Sequence, residues 1–178
     1  MVDLSTNYLR LKLKNPLIAS SSPLCTHVQN VKKMEDAGIA AVVLQSLIEE
    51  QIQKEQLMLD KGLVQGTEHF AEALTYLPDI RPYCFRSSDY MEQIIKTKEA
   101  VDIPVIGSLN GTNVWGWIKY AREMEKAGAD AIELNIYNLP VSPAISSSQV
   151  EQTCVNLVRE VSRSVAIPVS VKMGPFFS

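Results

Sequence analysis

Apolar positions along the chain fall into two kinds of segment. Some recur every three to four residues with charged positions between them, as on amphipathic helices, and others are short branched runs bounded by Pro, Gly or Asn, as in buried strands. The pattern predicts a first core strand over 15–21, preceded by a short hairpin around 4–13, then a helix over 28–37 and a second strand over 41–45. Residues 47–86 keep no clean period and are expected to leave the second strand as a long excursion, and loops of that length are usually functional. A helix over 88–100, a strand over 105–109, a helix over 114–127 and a strand over 131–136 follow. The last cycle is a loop over 140–147, a helix over 148–164 and a strand over 168–173.

One phrase occurs twice, ninety residues apart: Met34-Glu35-Asp36-Ala37-Gly38 before a branched run, and Met124-Glu125-Lys126-Ala127-Gly128 before another. Gly38 and Gly128 stand where a helix end calls for positive φ, so each copy is expected to be a helix, a tight turn and a buried strand. Such units in succession imply parallel strands, because parallel neighbours need crossover connections. In parallel sheets of this kind the functional residues gather at the strand carboxyl ends.

The expected strand ends are polar: Ser20, Gln45, Ser108, Asn135 and Lys172. Five helix-strand units in strict order, with no GxGxxG after the first strand, favour a (β/α)8 TIM-barrel type over a dinucleotide fold. Such a barrel takes roughly 250 residues. The 178 residues here are therefore expected to form the N-terminal part of a single barrel domain, with about five βα units. Open edges on such a piece would favour association, so a homo-oligomer is among the expected partners.

Composition narrows the class without naming it. A 46% hydrophobic content and a net charge of −3 describe an ordinary globular chain with no basic stripe for nucleic acid. Cys25, Cys84 and Cys154 are widely spaced and form no CxxC pair, which fits neither a disulfide framework nor a zinc site and suits a reducing cytoplasm. The first residues lack a basic flank and an apolar segment, and no apolar run reaches spanning length, so neither export nor membrane anchoring is expected.

The strings Asn15-Pro16-Leu17-Ile18-Ala19-Ser20, Glu133-Leu134-Asn135 and Val171-Lys172-Met173, in that order, resemble the dihydroorotate dehydrogenase family of FMN-dependent barrels, and within it the dihydroorotate dehydrogenase-like branch. The resemblance covers nearly the whole chain. It implies FMN as cofactor, with Ala19 and Ser20 letting the flavin approach the backbone, Ser46 near it, and Asn135 and Lys172 reaching the ring. A Lys there would hold positive charge beside the reduced ring and raise its potential. The implied activity is oxidation of dihydroorotate to orotate in pyrimidine biosynthesis, with a small-molecule substrate and a second electron acceptor that the sequence does not identify.

Departures from the family pattern bear on the reaction. Gln45 stands where the family has a Lys, and Ala73 stands where a substrate-binding Asn would fall, with Leu77-Pro78 the only echo of that loop. The family's base, a Cys or a Ser, falls at Asn138, whose amide cannot take a proton from carbon. Tyr137 would serve only with a much lowered pKa, and Cys154 is expected in a helix core. The true substrate therefore stays open, and the alternatives are a non-catalytic flavin- or partner-binding barrel or an inactive fragment.

Other residues carry plainer expectations. His27 and His69 lack metal-ligand spacing, and Glu49, Glu50 and Glu55 are expected on a solvated helix face. Trp115 and Trp117 should divide between surface and core, and Tyr76, Tyr83 and Tyr90 between a lid and helix packing. Gly107 and Gly111, flanking Ser108 and Asn110, are expected to leave room for a ligand, with a plain turn an equal reading of Gly111.

Overall fold

The computed structural model describes residues 2–54, 57, 87–137, 142 and 144–174. Ala73, Leu77-Pro78, Asn138, His69, Cys84, Glu55, Tyr76 and Tyr83 lie outside the described residues. The chain opens with an antiparallel hairpin, β1 (Thr6–Tyr8) and β2 (Leu11–Leu13), turned through positive φ at Leu9 and Arg10. The parallel sheet follows: β3 (Ile18–Ala19), β4 (Ala41–Val43), β5 (Leu47–Ile48), β6 (Val105–Asn110), β7 (Ala131–Ile136) and β8 (Val169–Met173). Helices α1 (Val28–Asp36), α2 (Ser87–Ala100), α3 (Val114–Lys126) and α4 (Ser147–Ser164) connect them.

The sheet runs β3-β4-β6-β7-β8, all parallel, with β5 added to β6 beyond the end of β4. This corrects the fold expected from the sequence, the N-terminal part of a (β/α)8 TIM-barrel type. Among the described residues β3 and β8 do not pair, so the sheet is open and the architecture is an α/β half-barrel. Closure of a sheet needs hydrogen bonds from its last strand to its first, and the polar strand ends that suggested a barrel report only which end of the sheet is wet.

The repeated phrase builds the amino-terminal end of the sheet twice by the same device. In each copy a Schellman turn closes the helix: Gly38 N–H bonds Glu35 O at 2.8 Å and Ile39 N–H bonds Met34 O at 3.3 Å, while Gly128 and Ala129 repeat this on Glu125 and Met124 at 3.0 and 3.1 Å. The glycines take φ of +103° and +93°, open to glycine at no steric cost. The Glu side chain of each copy then clamps the entry to the next unit. Glu35 Oε1 accepts the N–H groups of Asp102 and Ile103 at 2.8 and 3.1 Å, and Glu125 Oε1 those of Ala166 and Ile167 at 2.7 and 3.2 Å. Each clamped pair precedes a proline that leads into a strand, Pro104 or Pro168.

Side chains alternate across the sheet as the pleat requires. Val105 and Leu109 of β6 join the main core under the helices with Ala121 and Met124, whereas Ile106 faces the concave side with Ala41, Val43 and Ala131. Leu13 of the hairpin packs into this second cluster and closes its amino-terminal end. The carboxyl-terminal half of the concave face is left to polar residues.

The second strand differs from expectation in one respect that shapes the site. β4 stops at Val43, Gln45 and Ser46 leave the ladder, and Leu47–Ile48 rejoin β6 opposite Leu109 and Asn110. Over the gap, the buried Tyr90 hydroxyl accepts the Ser108 N–H at 2.9 Å and donates to its carbonyl at 3.2 Å. A phenol thus stands in for a missing stretch of strand and frees Ser46 to turn onto the concave face.

Candidate functional site

Ser108 shares the concave face with Ile106, and Glu133 and Asn135 share it with Ala131, two residues apart along each strand. Register places Ser108 beside Glu133 and Asn135 beside Lys172. Ser21 follows β3, and Ser46 sits in the break after β4. Ser46 Oγ lies 2.7 Å from Ser108 Oγ and 3.3 Å from Ser21 Oγ. Ser108 Oγ donates to Glu133 Oε1 at 3.4 Å, and Lys172 Nζ lies 3.9 Å from the same oxygen. One polar file therefore crosses the carboxyl end of the sheet.

Among the residues expected to hold a cofactor, Ser46, Asn135 and Lys172 lie on this rim. The Lys172 side chain is 51% exposed and Glu133 only 17%, so the ammonium leans outward over a mostly covered carboxylate. The half-buried Asn135 amide has no hydrogen-bond partner among the described residues. Ala19 packs toward the helix-side core. Ser20 is exposed, and its carbonyl accepts from the Cys25 thiol at 3.5 Å. Gln45 is also exposed, with its amide oxygen accepting from the Thr26 hydroxyl at 2.5 Å.

Several expectations need correction. Gly107 does not make room for a ligand, since a Cβ there would lie 2.9 Å from Met124 Sδ; a Cβ at Gly111, which lines the helix-side cleft, would lie 2.8 Å from the Trp117 ring. Their smallness lets α3 close on the sheet. Glu49, expected on a solvated face, is 4% exposed and accepts from Thr112 N–H at 2.6 Å, Gln53 Nε2 at 3.0 Å and Asn113 Nδ2 at 3.1 Å. Its carboxylate sits at the amino terminus of α3, where negative charge is favoured, and a Cβ on Gly116 would collide with it. Trp115 and Trp117 divide as expected, at 81% and 4% exposure.

Burial raises the Tyr90 phenol well above its ordinary pKa, with the Ser108 backbone bond opposing and the Glu133 charge adding to the rise. Tyr120 is raised in the same direction by burial and by Glu49 and Glu123. Cys154 is half-buried against the core, and Tyr137 is 79% exposed. A separate cleft of about 450 Å³ opens on the helix side of the sheet between Trp117, Tyr137, Leu157 and Glu160, and none of the expected cofactor residues lines it.

An open parallel sheet under helices, with polar side chains collected at its carboxyl end, defines an α/β half-barrel. Among solved structures the chain is similar to the dihydrodipicolinate synthase of Bacillus anthracis, with a TM-score of 0.51, 16% identity, and coverage of 96% of this chain and 46% of that one. KD(P)GA from T. tenax matches with a TM-score of 0.52 at 17% identity, covering 89% of this chain and 45% of that one. At such identities the likeness concerns the fold alone.

Sequence relatives are more specific about family. The catalytic subunit of dihydroorotate dehydrogenase B (NAD(+)) from Thermoplasma volcanium is 28% identical over 181 aligned positions, covering 98% of this chain and 55% of the relative. The NAD-dependent dihydropyrimidine dehydrogenase subunit PreA of Escherichia coli is 25% identical over 189 positions, covering 97% and 42%. No family model matches the chain. These relatives support a dihydroorotate dehydrogenase-like family, as the strand-end strings implied. The chain spans about half the length of the curated relatives it matches.

Proposed function

We propose that the chain works as a flavin-dependent oxidoreductase of the dihydroorotate dehydrogenase-like kind, with FMN at the carboxyl end of the sheet and a small cyclic molecule oxidised at a CH–CH bond. The observation that carries this reading is the gathering of Ser46, Asn135 and Lys172 on one concave rim together with Ser108 and Glu133. The residues present fit a flavin. A half-buried amide without a partner among the described residues can donate to and accept from a ring edge of alternating carbonyls and N–H, and an outward ammonium can face an electron-rich edge.

When bound, FMN would supply acceptance of a hydride from substrate carbon. The chain's own residues hold and orient. Lys172 would contribute positive charge, Asn135 would orient the ring through its amide, and Ser46 would offer a hydroxyl from the strand break. Ala19 and Ser20 present main chain beside it. Because Asn138 cannot act as the family base, dihydroorotate itself is the less favoured substrate within this reading, and a relative of it whose oxidation draws its proton acceptor from elsewhere is favoured. A second electron acceptor and self-association belong to the same reading. So does a cytoplasmic setting, supported by the free thiols of Cys25 and Cys154; among the described residues no helix is long and apolar enough to cross a membrane.

The replacement of the family Lys by Gln45 and of the base by Asn138 favours one second reading, a half-barrel that binds flavin without catalysing this oxidation. Absorbance spectroscopy of the FMN-loaded protein under anaerobic conditions separates the two. Bleaching of the flavin bands by dihydroorotate or dihydrouracil establishes the oxidoreductase. A bound flavin that both leave oxidised supports the binding role, and a protein that takes up no FMN refutes both.

A further inference from the structure

Ser21, Ser46, Ser108 and Glu133, drawn from four adjacent segments of the sheet rim, form a single hydrogen-bonded file. Distances alone leave the direction of its first two bonds open. Counting protons closes the question. A serine hydroxyl has one proton, and a carboxylate accepts only. A charged acceptor holds a hydroxyl proton more strongly than a neutral one, so Ser108, 3.4 Å from the Glu133 carboxylate, gives its proton there, and across the 2.7 Å contact with Ser46 the donor is Ser46. Ser46 then has none left, so Ser21 donates to Ser46. The end of the file at the β3 rim is left with lone pairs and no proton.

We propose that Glu133 is a positioning residue that, through Ser108 and Ser46, fixes the Ser21 hydroxyl as a hydrogen-bond acceptor. The two ends of the file then require opposite chemistry. A ligand meets lone pairs at Ser21 and an ammonium at Lys172, so it brings an N–H or O–H to the first and an anionic or carbonyl oxygen to the second. The identity of that ligand as flavin or substrate rests on the oxidoreductase reading; the direction of the file is a property of this chain alone. A Gln at position 133 can donate its amide N–H to Ser108, which releases the file to reverse and lets Ser21 donate.

Among the described residues, the titratable groups facing Glu133 are Lys172 from β8 and Tyr90 from α2. Lysines and tyrosines in general ionise far above neutrality. The experiment is carbon-detected NMR on the full chain, following the Glu133 side-chain carboxyl and the Ser21 Cβ together. The expected result is that Ser21 shifts with the same midpoint as Glu133, that Glu133→Gln abolishes the Ser21 response, and that Ser108→Ala abolishes it while Glu133 still titrates. Ser46→Ala gives a second break in the file should Ser108→Ala lose its native amide spectrum. A Ser21 signal that stays flat while Glu133 titrates overturns the proposal, as does a response that survives in a folded Ser108→Ala or Ser46→Ala protein. Failure here leaves the flavin absorbance result intact, so the two readings fail separately.

Discussion

At the scale of single residues, Tyr90 holds an unusual position for a side chain, filling a gap in the main-chain ladder of β6. Its pKa is raised in the folded state by burial first, and an unfolded tyrosine ionises near 10. The neutral phenol's contribution is therefore complete below pH about 10 and is lost as pH rises through the higher folded value. Urea unfolding should show the protein losing stability above pH about 10, with Tyr90→Phe flattening that alkaline decline. The same variant should cost about 1–3 kcal/mol near neutral pH, because the Ser108 N–H and C=O are left unpaired in the core. Identical alkaline slopes for the two proteins would show that Tyr90 is not the group responsible. Nothing in the sequence flagged this role, since spacing can say that a tyrosine is buried but not which backbone groups its hydroxyl will find.

At the scale of elements, the repeated Met-Glu-x-Ala-Gly phrase was legible because glycine at a helix end and a branched run after it are local signals. The structure adds that the Glu of each copy holds the N–H pair leading into a later strand. Charge-assisted bonds of this type contribute about 1.5–3 kcal/mol. Glu125→Ala should therefore lower the unfolding free energy by roughly that amount, and Glu35→Ala likewise, with neither change touching the carboxyl-end rim. A loss of under about 0.5 kcal/mol, the usual size for an uninvolved surface site, would show that water replaces the clamp at little cost. The break after Val43 and the burial of Glu49 escaped the sequence for the opposite reason: both depend on partners distant in the chain, Tyr90 for one and the start of α3 for the other. Glu133 lay between these cases. Its place two residues before Asn135 puts it on the same strand face, but only the structure shows Ser108 and Lys172 converging on it.

At the scale of the whole molecule, the sheet formed by the described residues is open, and its edge is a liability. Pro168 accepts from Ile132 on β7, so Val169, Val171 and Met173 turn their main-chain groups away from the sheet along the β8 edge. Among the described residues this edge has no strand partner, and such edges recruit other strands. Sedimentation over a range of concentrations should reveal self-association, and Met173→Pro, which removes an outward N–H at an exposed position, should weaken it; a monomer at every concentration would contradict this. The concave face that the open sheet presents is also where Ser46, Asn135 and Lys172 meet. The central claim is that this rim takes a flavin, and fluorescence titration of the protein with FMN tests it most directly. Saturable quenching is expected, with Lys172→Ala weakening the affinity by about tenfold or more, the scale of one charged hydrogen bond. Absence of binding, or equal affinity in the Lys172→Ala protein, would contradict it.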